Sequence, residues 1–206
     1  MAEGSAKIVI ISSLIVVAIF LLSFIVSISF LKIVRWAFLL LLILLIWFFR
    51  DPDRTVPVAK GNIVSPADGK IVEIKDHDNR QKVAIFMSLL NVHVNRIPMA
   101  GKIIEKKYTA GQYLPAFNPN CYLKNEQCEI VIKQRESEVK VTQIAGLVAR
   151  KIVNNAEIGD HYNTGQRFGL IKLGSRLDIE MPGNWQLNCS QGQKVKAGET
   201  IIAKIV

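Results

Sequence analysis

Cysteine is scarce in this chain of 206 residues: Cys121, Cys128 and Cys189 make an odd count, and no two are spaced as CxxC. That excludes a disulfide framework and a thiolate zinc site, and leaves buried free thiols in a reducing compartment as the ordinary reading. Charge is absent from Ile8 to Leu31, a run of 24 positions, and again from Trp36 to Phe49, a run of 14. Beyond residue 50 the sequence lacks a long amphipathic helix, a heptad run and any low-complexity tract. The net charge is +9, yet there is no zinc-finger spacing, no RNA-binding aromatic signature and no basic helix. A nucleic-acid partner is therefore not expected.

What is present divides at about residue 50, one domain with an appendage in front. A helix needs about 20 apolar residues to cross a bilayer, so the first charge-free run is long enough and the second is short. The two can pair as a tight hairpin with Lys32 and Arg35 snorkelling, or the second can lie in the interface with Trp36 and Trp47 as anchors. No small-x-small site follows a short apolar core before the second run, which argues against a cleaved signal peptide. Residues 1–49 are thus expected to anchor residues 50–206 to a cell membrane. Arg50, Arg54 and Lys60 crowd the exit of the apolar region and favour a cytoplasmic domain. With Lys7, Lys32, Arg35 and Glu3 set aside, residues 50–206 carry 23 Lys plus Arg against 16 Asp plus Glu, a net +7. Such a surface is drawn to anionic membrane lipid and to a substrate of negative charge.

Short β-type runs punctuated by Gly, Pro, Asn and Asp fill the rest. They cover residues 70–74, 82–87, 101–108, 129–133, 138–144, 150–153, 168–172, 176–180 and 200–206. The expectation is a mainly β fold, a compact barrel or sandwich, with a short helix at Ser88–Asn91 or within 111–125. Ser65-Pro66-Ala67-Asp68-Gly69-Lys70-Ile71-Val72 and the segment from Gly192 to Ile201 resemble the paired hairpin edges of barrel-sandwich carrier domains. Gly69 and Gly198 are expected to supply the positive φ of tight turns there. No Met-Lys-Met triplet marks a biotin or lipoyl carrier. A membrane-fusion adaptor of an export system would need a coiled coil between Val72 and Gly192, and no heptads lie there.

Gly174-Ser175 lies between two strand-like runs. Such a pair can be a turn. It can also be a self-cleavage site, because Gly174 offers an unhindered carbonyl on a backbone that tolerates strain and Ser175 places a hydroxyl one bond beyond it.

Five ordered blocks decide between these readings: Phe48-Phe49-Arg50-Asp51-Pro52, Ser65-Pro66-Ala67-Asp68-Gly69-Lys70-Ile71, Asn91-Val92-His93-Val94-Asn95-Arg96-Ile97-Pro98, Gln143-Ile144-Ala145-Gly146-Leu147-Val148-Ala149-Arg150, and Phe168-Gly169-Leu170-Ile171-Lys172-Leu173-Gly174-Ser175-Arg176. Together they resemble the short, membrane-associated form of phosphatidylserine decarboxylase, a pyruvoyl-dependent proenzyme, over residues 48–206. The resemblance implies that the Ser175 hydroxyl attacks the Gly174 carbonyl. The chain then divides into a β subunit, 1–174, and an α subunit, 175–206, that remain together as a heterodimer, with higher assembly left open. It implies a covalent pyruvoyl group made from Ser175, no metal, and phosphatidylserine turned into phosphatidylethanolamine. Archaetidylserine, with the same headgroup on ether lipid, is the alternative substrate.

Three further residues follow from the resemblance. Asp68 is assigned to maturation, against the ordinary reading of a turn former bonded to its own backbone. His93 is assigned to proton transfer in decarboxylation, since an imidazole with a pKa of about 6.5 suits that task. Longer relatives carry a second histidine three positions on, where this chain has Arg96. A guanidinium stays protonated and cannot act as a base, so Arg96 is read as a contact for substrate phosphate or carboxylate. Arg50, Arg150 and Arg176 read as surface or structural pairs, and His77 as an exposed turn residue.

Overall fold

The computed structural model describes residues 6–25, 29–57, 61–114, 124–146, 152–171 and 175–205. It divides into two compact units, Met1–Pro52 and Asp53–Val206.

The first unit is a pair of helices, α1 (Ala6–Ile25) and α2 (Ser29–Phe48), each of 20 residues. Neither contains the Pro or Gly that would interrupt it. The apolar residues are not confined to one stripe: Ile10, Leu14 and Leu21 on α1, and Trp36, Leu40 and Trp47 on α2, are all exposed. Both apolar runs form helices, as the hairpin alternative expected, but the expectation that the first is long enough to span a bilayer is not met by the described 20 residues of α1. Among the described residues, no helix is long and apolar enough to cross a membrane; residues 26–28, between the helices, lie outside the description. At the end of α2 the rings of Phe48 and Phe49 meet edge to face at 5.1 Å. Arg50 stacks 4.3 Å over Trp47 and donates to its carbonyl.

The second unit is mainly β. Its described strands are β1 (Asn62–Val64), β2 (Gly69–His77), β3 (Arg80–Met87), β4 (Val94–Arg96), β5 (Gly101–Thr109), β6 (Gln127–Gln134), β7 (Ser137–Ile144), β8 (Ile152–Asn154), β9 (His161–Tyr162), β10 (Arg167–Ile171), β11 (Ser175–Pro182), β12 (Gln186–Leu187), β13 (Lys194–Val195) and β14 (Ile201–Lys204). An eight-stranded sheet runs β13-β2-β3-β11-β7-β6-β5-β9, and two three-stranded sheets run β4-β10-β8 and β1-β14-β12. Every described strand pair is antiparallel. The β2–β3 hairpin turns through Asp78 and Asn79 at φ 48° and 60°, a pair of left-handed residues that suits the right-handed twist of the strands.

Alternation on the central strands sets the core. Val83, Ile85 and Met87 on β3, Leu177, Ile179 and Met181 on β11, and Val139 and Val141 on β7 are fully buried. The opposite face is charged. Lys82, Glu129, Lys140, Asp178 and Glu180 line a groove there of about 680 Å³.

The two edge segments singled out in the sequence do meet. Lys194 and Val195 pair with Lys70 and Gly69, and Gly198 donates its amide to Ser65. Gly198 has the expected positive φ, +76°. Gly69 does not; it is glycine because a Cβ would stand 2.3 Å from the Phe86 carbonyl oxygen. Ser88–Asn91, expected as a short helix, is a tight turn closed by the Asn91 amide on the Ser88 carbonyl. Most of the 111–125 alternative, residues 115–123, lies outside the described residues.

Leu177 is a direct test of the core. Truncation to alanine at this fully buried position is expected to cost about 2–5 kcal/mol. A lowered denaturant midpoint in detergent, at unchanged slope, would report it.

Candidate active site

Ser175 opens β11 and is paired from the start: Ser175 faces Met87 on β3, and Arg176 faces both Phe86 on β3 and Ile144 on β7. On the other side of the junction β10 ends at Ile171, whose amide donates to the His93 carbonyl at 3.4 Å. The connection from β3 to β4 therefore reaches the end of β10 at His93. Gly174, the other half of the expected cleavage bond, lies with Lys172 and Leu173 outside the described residues, as does Arg150.

Ser175 is fully buried. Its hydroxyl donates to the Met87 sulfur at 3.5 Å. The Asn95 amide reaches the same sulfur at 3.8 Å. Asn95 Oδ1 accepts from Gln143 Nε2 at 2.8 Å, and Gln143 Oε1 accepts from Asn154 Nδ2 at 2.9 Å. A chain of amides, buried at Asn95 and Gln143 and half-buried at Asn154, thus runs from the head of β11 through β4 and β7 to β8. Gly169 leaves room for it: a Cβ there would lie 2.2 Å from the Val153 carbonyl oxygen and 3.1 Å from Gln143 Nε2.

His93 is buried, with Nδ1 2.9 Å from the Asn91 carbonyl oxygen. A carbonyl only accepts, so Nδ1 carries the proton in this contact and the neutral ring's lone pair sits on Nε2. That tautomer is a proton acceptor.

Asp68 and Arg96 come together elsewhere, around the turn at Gly198. Arg54 Nη2 donates to both Asp68 oxygens, at 2.9 and 2.8 Å, and the Ala197 amide donates to Oδ1 at 2.8 Å. Arg54 also stands 3.6 Å from Glu199. Arg96 is buried and donates to the Gly165 carbonyl at 3.1 Å. A Cβ on Gly198 would lie 3.1 Å from Arg96 Cδ and 3.7 Å from Arg54 Cβ, so these arginines flank one turn. No hydrogen bond among the described residues joins Asp68 to Ser175. Asp68 lies two positions before Lys70, which pairs with Phe86 on the strand next to Ser175.

Arg176 is a structural pair, as read from the sequence. It donates to Asp178 at 2.6 Å and to Glu73 at 2.8 Å, and Lys82 meets Asp178 at 2.8 Å. Burial pushes the Glu73 carboxyl up, but hydrogen bonds from Lys75 and Arg176 outweigh it, so its pKa falls below the ordinary glutamate value. His77 is exposed and paired with Asp78. Among the described residues, no cluster of three or more His, Cys, Asp or Glu could hold a metal ion.

Arg54, Met87 and Asn154 carry no signal as site residues in the sequence. Asn95 and Gln143 do, since both stand inside blocks that supported the resemblance.

A buried serine at the head of a central strand, with buried amides beside it in a mainly β fold, places the candidate site inside the sheet unit. Residues 41–203 match the family model for phosphatidylserine decarboxylase. A Methanosarcina acetivorans protein provisionally named an archaetidylserine decarboxylase proenzyme is 45% identical over 158 residues, 77% of this chain and 74% of that one. Phosphatidylserine decarboxylase proenzymes of Solibacter usitatus and Chlorobium phaeobacteroides are 44% and 43% identical, each over 78% of its own length and 77% and 78% of this chain. The chain belongs to the phosphatidylserine decarboxylase family, carboxy-lyases of phospholipid biosynthesis that associate with membranes. Membership implies a pyruvoyl group and self-cleavage into two chains.

Gln143→Leu removes both the donor to Asn95 and the acceptor of Asn154. Leaving such buried groups unsatisfied is expected to lower stability by about 1–3 kcal/mol and to slow self-cleavage. The thermal midpoint and the rate at which full-length chain disappears measure the two effects.

Proposed function

We propose that the chain cuts itself between Gly174 and Ser175 and then converts phosphatidylserine into phosphatidylethanolamine at a membrane surface. One observation carries this reading: the strand beginning at Ser175 is held on both sides by strands from residues 1–174, so a break in front of it costs the sheet nothing.

In the cleavage, the Ser175 oxygen bonds to the Gly174 carbonyl carbon and the peptide C–N bond breaks, giving an ester. Loss of the Ser175 α-proton expels the Gly174 carboxylate. Water then replaces the nitrogen, which leaves as ammonia, and a ketone remains at position 175. That position fits the new group, which is no larger than the serine side chain already sealed there. Asp68, oriented by Arg54 and the Ala197 amide, is assigned to this maturation.

The pyruvoyl group supplies an electrophile for the substrate amine and a sink for the electrons released as CO₂ departs. His93 moves protons through Nε2, with Nδ1 committed to Asn91. Arg96, charged at any working pH, pairs with substrate phosphate or carboxylate. The cut chains stay together as a heterodimer with a core of the barrel-sandwich type, supported by the meeting of the segments around Gly69 and Gly198. The apolar surface of α1 and α2 attaches the chain to a cell membrane, and Arg50 and Arg54 beyond it favour a cytoplasmic catalytic domain. A second reading, archaetidylserine as substrate, is favoured by the Methanosarcina relative; it alters the lipid tails and leaves the headgroup chemistry unchanged.

Intact mass of purified protein is expected to show two chains, the smaller beginning at position 175 with a blocked N-terminus. Ser175→Ala should remain one uncut, inactive chain. Full turnover by a preparation that keeps an uncut chain and an ordinary serine would end this reading. The His93→Ala variant should cut itself yet lose turnover by about 10²–10⁴-fold; wild-type turnover in it would remove His93 from the reaction.

A further inference from the structure

One turn beside the candidate site displays side chains that water disfavours. Ser88–Asn91 is closed by the Asn91 amide on the Ser88 carbonyl at 3.0 Å, and Ser88 donates both its amide and its hydroxyl to Asn91 Oδ1, at 2.9 and 2.7 Å. Its ends are locked. Its two central positions hold Leu89 and Leu90, 52% and 67% exposed. Exposed turn tips ordinarily carry Gly, Asn, Asp or Pro. Two leucines held outward gain free energy only if something apolar covers them.

The same end of the eight-stranded sheet carries an unfavourable charge pair. Lys70 and Lys194 are directly opposed across β2 and β13, so their side chains share one face. Both are exposed. Directly opposed like charges repel, and among the described residues neither lysine has a salt-bridge partner. Phe86, which pairs with both Lys70 and Arg176, sets this row at the level of the Ser175 junction. Leu89 lies three residues beyond Phe86.

We infer that this end of the catalytic domain is a second membrane contact, separate from α1 and α2. Leu89 and Leu90 enter the apolar boundary of the bilayer, and Lys70 and Lys194 meet anionic headgroups. The occupant is a lipid surface because an apolar tip beside unpaired cations matches what an anionic interface offers, hydrocarbon below and negative charge above. The turn is also tied to the chemistry, since the Asn91 carbonyl that follows the leucines accepts the hydrogen bond from His93 Nδ1. Docking there brings a headgroup to His93 without drawing the lipid out of the membrane. This inference rests on the lipid-decarboxylase reading.

The test uses the full, self-cleaved chain with Leu89→Ser/Leu90→Ser and with Lys70→Glu/Lys194→Glu. Each variant is given phosphatidylserine in phosphatidylcholine vesicles, and dihexanoyl phosphatidylserine below its micellar concentration. The leucine variant should lose about tenfold on vesicles, while cutting itself and turning over the soluble lipid within about twofold of wild type. Added phosphatidylglycerol should speed the wild type on vesicles at low salt and leave the lysine variant unmoved. Unchanged vesicle turnover in both variants would overturn the inference. So would an equal loss on both lipids, which would make the tip part of the site or the fold, or a loss of self-association alone, which would assign it to a protein contact. A wild type inactive on both lipids would fail the decarboxylase reading instead.

Discussion

Everything in the catalytic unit depends on how tightly β11, the strand that begins at Ser175, is held. β11 pairs with β3 from Ser175 to Pro182 and with β7 from Arg176 to Glu180. The strands after β11 are equally interwoven: β13 pairs with β2, and β14 with β1. The inner face of β11 places Leu177, Ile179 and Met181 in the core. The outer face of β11 ties Arg176 to Glu73 on β2 and Asp178 to Lys82 on β3. A central strand has no free edge, so cutting the chain in front of it removes one covalent bond and almost none of the contacts that order it. A serine at an edge strand or an exposed loop would not have this property.

The same constraint explains the surroundings of the junction. Ser175 sits against Met87 and Ile171 against His93. An imidazole, a thioether and a chain of amides thus lie along the end of β10 and the head of β11. The amides are costly to bury unless each is matched. Asn95, Gln143 and Asn154 match one another in series, and the small side of Gly169 lets them approach. Rigidity here comes from polar satisfaction as much as from apolar packing.

Much of the fold was legible because it is local. Alternation along residues 82–87, 138–144 and 176–180 is a period of two, visible without knowing the partner strand. The very short strands β9 and β12 carry too few residues for any period and were not expected, whereas β13 was legible only through the likeness of its segment to a hairpin edge. Gly69 was read as a turn glycine, yet its reason lies on another strand, at the Phe86 carbonyl. The site divides in the same way. Ser175, His93, Asp68 and Arg96 were legible as members of ordered blocks. Arg54 was seen only as a basic residue near the apolar exit, and nothing in residues 50–57 announces that it grips Asp68. The Gln143–Asn95 bond joins residues 48 apart in sequence, and no local pattern encodes such a meeting.

Arg96 can be understood from the cluster it belongs to. A base at that position would need to lose a proton, and a guanidinium does not. The cluster instead has the character of an electrostatic frame: Arg54 and Arg96 flank the Gly198 turn, and Asp68 and Glu199 answer Arg54. The frame is assembled from both sides of the proposed cleavage point. Arg54, Asp68, Arg96 and Gly165 precede it, while the Ala197 amide, Gly198 and Glu199 follow it. Separating the pieces would strip Asp68 of the Ala197 hydrogen bond and Arg54 of Glu199, leaving buried charge less well compensated. Gly198 makes the arrangement possible, because its left-handed backbone turns the small chain back and its missing Cβ lets the Arg96 side chain pass. The charge frame and the central strand thus act in the same direction: were the chain cut at the proposed bond, both pieces would be needed to complete a buried charged site, and neither would hold the full set of partners alone.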